Sequence, residues 1–116
     1  MATPTRGLSE EQRYERLSDL YLILWKQLDQ LSGGMKWLEV RPVDQVELQR
    51  EAEAALAELR PCLPPADGLG DVIDKDFRKT HRFLEGAYEI DGMNVEVFKD
   101  YLRDSALRFA QASDEL

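Results

Sequence analysis

Six apolar side chains, Tyr14, Leu17, Tyr21, Leu24, Leu28 and Leu31, recur in steps of three and four without a fault. A helix puts such a series on one side of the backbone, whereas a strand would scatter it over both faces. Ser9 opens the run and Gln12 follows three residues later, a capping-box arrangement, with Glu10 and Glu11 at the positive helix end. Gly33 and Gly34 supply a left-handed stop, so the helix is expected to end at Ser32. Leu20 and Trp25 widen the stripe, and Leu22 and Ile23 fall outside it. A helix apolar nearly all round over residues 20–25 is buried on more than one side. Either it is the central helix of its fold, or Leu22 and Ile23 form a second apolar face for a twin subunit or a partner.

Three further helices are expected. Asp44 and Glu47 form a second capping-box-like pair, with Val43 and Leu48 as a hydrophobic staple, and Pro61 ends that helix. Residues 61–70, "PCLPPADGLG", are the longest loop signal in the chain. Asp71 is expected to cap the third helix, whose inner face reads Ile73, Phe77, Thr80, Leu84 and Tyr88, with Gly86 weakening its last turn or admitting a neighbouring helix. "EIDGMN" is a turn, and Asn94 caps a fourth helix with Phe98 or Val97, Tyr101, Leu102, Ser105 or Ala106, and Phe109 inward. Residues 35–42, "MKWLEVRP", are too short to assign and read as an extended connection or one helical turn.

No stretch alternates convincingly, so the predicted fold class is all-α: a compact bundle of about four amphipathic helices, mostly antiparallel. A three-helix core with an appended arm and an irregular orthogonal bundle are the alternatives. The expected organisation is a flexible segment 1–8, one bundle domain over 9–112 and a polar tail 113–116. A 116-residue domain buries about two-thirds of its unfolded surface, enough for a core without a metal or disulfide. The one cysteine, Cys62, permits no internal disulfide, and the longest apolar run, "LYLILW", is far short of a membrane span. A cytoplasmic protein without membrane contact is therefore expected.

The inventory for chemistry is thin. His81 is the sole histidine, so a di-metal Glu-x-x-His bundle is not available, and Cys62 has no local group to lower its pKa. No phosphate loop, dinucleotide fingerprint or nucleophile elbow is present, and no cofactor is expected. Tyr14, Tyr21, Thr80, His81 and Tyr101 are the polar groups with which a small enzyme or ligand carrier would line an internal pocket.

Partner binding fits better. Net charge is -8, which opposes nucleic acid, yet four of the 15 Lys and Arg residues, Lys75, Arg78, Lys79 and Arg82, recur at helical spacing opposite Ile73, Phe77 and Leu84. They form either a surface neutralised by neighbours, through Asp71–Lys75, Asp74–Arg78 and Arg82–Glu85 pairs, or a face that docks an acidic protein. Trp37, beside Met35 and Leu38, either covers the bundle end or joins an interface. The expected function is a non-enzymatic protein-interaction module of the adaptor, inhibitor or assembly-chaperone kind, binding a protein partner or a second copy through Leu22, Ile23, Trp37 and the four cations. An enzyme or carrier with an internal pocket is the alternative. Nucleic-acid mimicry by the acidic surface is a third reading, which the mixing of both signs throughout the chain argues against.

Overall fold

The computed structural model describes residues 8–31, 42–63 and 68–115. Among these residues the chain is an all-α bundle with no strand: α1 (Glu10–Leu31), α2 (Pro42–Leu59), α3 (Leu69–Leu84) and α4 (Val95–Asp114), with a 3-10 turn, Arg60–Cys62, prolonging α2. The capping box at the start of α1 is formed. Ser9 N donates to Gln12 Oε1 at 3.0 Å, and Gln12 N donates to Ser9 Oγ at 3.1 Å. At α4, Val97 N donates to Asn94 Oδ1 at 2.9 Å, as its sequence position predicted.

Three local expectations are corrected. Helix α2 begins at Pro42, ahead of Asp44, because proline's fixed φ suits the first helical position and its missing N–H is spare there. Helix α3 begins at Leu69, with Gly68 at the cap in a left-handed conformation (φ 68°) that a side-chain-bearing residue resists; Asp71 sits inside the first turn. Gly86 ends α3 instead of lying within it. Its φ is 109°, its N donates to Phe83 O and Ala87 N donates to Arg82 O, the paired bonds of a Schellman stop. Tyr88 consequently falls outside the helix and is 88% exposed, not inward. The chain then turns tightly through Asp91 and Gly92, both at positive φ, with Ile90 and Met93 exchanging two 2.9 Å backbone bonds.

Helix α1 is the hub. It packs on all three others, most extensively on α4, then α2, then α3. Leu17, Leu20, Tyr21, Leu24 and Leu28 are buried among Ala52, Leu56 and Leu59 of α2, Ile73 and Phe83 of α3, and Phe98, Leu102 and Ala106 of α4. Burying each large apolar side chain contributes about 1.5–3 kcal/mol before ordering entropy is subtracted. Polar ties set the register. Ser18 Oγ donates to Ala106 O at 2.9 Å and Lys99 Nζ to Asp29 at 2.9 Å, which makes α4 antiparallel to α1. Gln45 Nε2 donates to Gln27 O, and Arg16 meets Glu58 at 2.6 Å, which makes α2 antiparallel to α1 as well. Helix α4 runs to Asp114, and Ser113 is buried against α1 through Glu11 O at 3.5 Å.

Candidate functional site

Helix α3 carries an unusual charge arrangement on each of its two faces. On the inner face, Ile73, Asp76, Thr80 and Phe83 are buried, at steps of three and four. Asp76 is 3% exposed. Its Oδ2 accepts from Tyr21 Oη of α1 at 2.5 Å and from Tyr101 Oη of α4 at 2.6 Å, so one carboxylate oxygen ties three helices together. No cation pairs with Asp76 within salt-bridge distance among the described residues. Two short phenol bonds take the place of a counter-ion, and charge-assisted O–H donors are among the stronger ones available. Aromatic rings close round them: Tyr21 on Phe109 at 5.6 Å, Tyr101 stacked on Phe98 at 5.6 Å, and Phe98 on Phe83 at 5.5 Å. Burial and then the neighbouring Asp76 charge push the Tyr21 phenol well above its ordinary value. Burial, followed by the Asp76 hydrogen bond, pushes Tyr101 up to about 12.

Two of the five polar groups expected around an internal pocket therefore do converge, but on Asp76, which occupies both hydroxyls. Thr80 Oγ1 donates back to the Asp76 carbonyl at 2.9 Å. His81 is exposed and meets only the edge of the Phe77 ring at 6.4 Å, so it does not border the core. Among the described residues no group of three or more His, Cys, Asp or Glu side chains is placed to hold a metal ion. Cys62 is half-buried, its Sγ 3.8 Å from Glu58 O. Asp76 is the residue that sequence reasoning missed. The signal was there: a carboxylate in the 73-76-80-83 row, between an isoleucine and a threonine on the apolar side.

The outer face carries the cations. Lys75, Arg78 and Arg82 are exposed and make no ion pair among the described residues. The expected pairing within the helix is corrected. Asp74 turns away from Arg78 to take Arg60 at 2.8 Å, bridging the end of α2 to the start of α3. Lys79 lies lower on the flank and pairs with Asp91 at 3.0 Å, holding the turn after α3. Pairing across elements takes away a local neutraliser and leaves three of the four positive charges open to solvent.

Beside the cations, between α2 and α3, runs an open groove of about 590 Å³. Leu56, Ala57 and Phe77 form its apolar floor, and the Arg60–Asp74 pair closes one end. Glu53 lines the groove from α2 and Arg78 from α3. Glu53 accepts from Gln49 Nε2 at 2.9 Å, and neither Glu53 nor Arg78 makes an ion pair among the described residues.

The apolar contacts expected on α1 separate. Ile23 is half-buried and packs against the core, whereas Leu22 is 38% exposed. Trp37, with the segment 35–41 and the glycines 33 and 34, lies outside the described residues. The remaining large exposed apolar side chains, Val46, Val72, Tyr88, Val97 and Leu107, are spread over three helices and a turn, as is ordinary for a protein surface. No helix among the described residues is long and apolar enough to cross a membrane. No family model matches the chain, and no significant match to it was found among curated proteins or solved structures.

Proposed function

We propose that this chain is a non-enzymatic protein-binding module of the adaptor, inhibitor or assembly-chaperone kind, and that its contact face is the outer side of α3. One observation carries the reading: Lys75, Arg78 and Arg82 stand exposed, with no ion pair among the described residues, on one helix face of a chain whose net charge is -8. In a protein with acidic residues to spare, unneutralised cations gathered on one face favour a partner that brings the complementary charge. The partner is an acidic protein surface. Nucleic acid fits less well, because Asp71, Asp74, Glu85 and Asp91 break the continuous basic track that a phosphate chain requires. A twin subunit packed on α1 is disfavoured, since Ile23 is taken into the core and leaves Leu22 by itself.

The test compares the wild-type chain with a variant carrying Lys75→Gln, Arg78→Gln, Lys79→Gln and Arg82→Gln in affinity capture at matched concentration. The reading expects a protein partner held by wild type, released by salt at about 0.5 M, and depleted about tenfold or more on the variant. Equal retention by both chains, or retention of nucleic acid in place of protein, contradicts it.

A further inference from the structure

We infer that the α2–α3 groove receives one or two large apolar side chains from an acidic helical segment of that partner, whose carboxylates lie against Arg78, Lys75 and Arg82. The inference rests on the protein-docking reading of the α3 face and adds what occupies the groove beside it. Arg78 links the two features, since it is both a member of the cationic row and a rim of the groove. The groove lining along α2 runs from Glu53 to Arg60, and the cationic row from Lys75 to Arg82. Each spans seven residue steps, about 10 Å or two helical turns. A single helix laid along α3 would meet the groove where Asp74, Phe77 and Arg78 line it and the rest of the cationic row one turn further on, at Arg82, with apolar residues at i and i+3 or i+4 over Leu56, Ala57 and Phe77 and acidic residues on the adjoining side.

The shape argues against a small metabolite. Small-ligand sites enclose most of the ligand surface, and this groove lies open along its length between two helices. The charge argues for an acidic occupant. At the groove Asp74 is paired with Arg60, and neither Arg78 nor Glu53 has an ionic partner among the described residues, so the preference for an acidic occupant comes from the α3 side, where Lys75 and Arg82 add to Arg78. A basic segment would lie against Arg78, Lys75 and Arg82, and that repulsion acts directly against association.

The experiment is a selection of binders from an unbiased random-peptide display library on the folded wild-type protein. It is followed by affinity measurements of the best peptide on wild type, on Ala57→Trp and on the quadruple glutamine variant. Ala57 is exposed on α2, so Ala57→Trp fills the groove from its floor without a burden on the core, and circular dichroism confirms the fold. The inference expects enrichment of sequences with acidic residues flanking one or two large apolar residues at helical spacing, and a loss of about tenfold or more on both variants. Loss on the glutamine variant with full binding to Ala57→Trp leaves the docking face standing and overturns the groove as its anchor site. Enrichment of basic or uncharged sequences, or no enrichment at all, overturns both. Self-association that sedimentation detects in wild type and that Ala57→Trp abolishes makes a second copy the occupant and overturns the partner assigned here.

Discussion

The two faces of α3 treat charge in opposite ways. Inside, one carboxylate is almost fully withdrawn from water and both of the hydroxyls it needs reach it from other helices. Outside, three cations lie in water with no ionic partner among the described residues. A buried charge persists only when its partners are built in, because leaving it or them unmatched forfeits several kcal/mol. An exposed charge carries no such requirement and contributes little to stability either way. The same sixteen-residue helix thus holds a structural charge on one side and a charge available to a partner on the other.

The comparison breaks most readily at Asp76. Asp76→Ala leaves Tyr21 Oη buried without an acceptor and is expected to destabilise the fold by about 3 kcal/mol, read as a lowered urea midpoint. Asp76→Asn keeps one acceptor oxygen and should lose about half as much. A loss under about 0.5 kcal/mol for Ala would mean that the three-helix tie is incidental. The contrast extends to α1. Ile23→Asp buries a charge against the core and should destabilise by about 2 kcal/mol, whereas Leu22→Asp, at the surface, should stay within about 0.5 kcal/mol. An Ile23→Asp chain that stays folded but loses an assembly would instead restore the second apolar face.

Smaller effects grade the two phenols. Tyr21→Phe should cost about 1.5 kcal/mol and Tyr101→Phe about 1 kcal/mol or less, since Tyr101 is only partly buried and retains water as a substitute. Their pH behaviour follows from direction. Both phenols are raised in the fold, so the unfolded chain releases these protons first. Each contribution is complete below the ordinary value of 10.0 and declines above it; that of Tyr101 is lost as pH climbs through about 12, where it ionises, and that of Tyr21 at still higher pH. Alkaline unfolding followed by phenolate absorbance should show this decline, and it should be shallower in Tyr21→Phe. An identical alkaline limb in wild type and variant would disconnect Tyr21 from the lock.

Local chemistry made much of the fold legible in the sequence. Ser9 with Gln12, Asn94 with Val97, and the Tyr14-to-Leu28 stripe each involve residues within one or two turns of one another, and periodicity reports such relations directly. What escaped depends on partners distant in sequence. Asp74 is equally near Arg78 along the helix, yet Arg60 arrives from α2 in better position. Asp76 looks like one more surface acid between Lys75 and Phe77 until Tyr21 and Tyr101 are brought to it from 55 and 25 residues away. The four cations were legible as a face from spacing alone. That Lys79 is paired and the other three are not, among the described residues, was not legible, because it depends on where Asp74 and Asp91 are drawn.

The division of labour on α3 meets its most direct test in urea unfolding of the quadruple glutamine variant, without and with the selected acidic peptide. The account predicts a midpoint within about 0.5 kcal/mol of wild type when peptide is absent. With peptide at about a hundred times its dissociation constant for wild type, wild type should gain about 2.7 kcal/mol and the variant, bound about tenfold or more weakly, about 1.4 kcal/mol or less. A variant destabilised by about 2 kcal/mol or more on its own would place the cations in the structure, and an equal gain from peptide in both chains would remove them from the binding face.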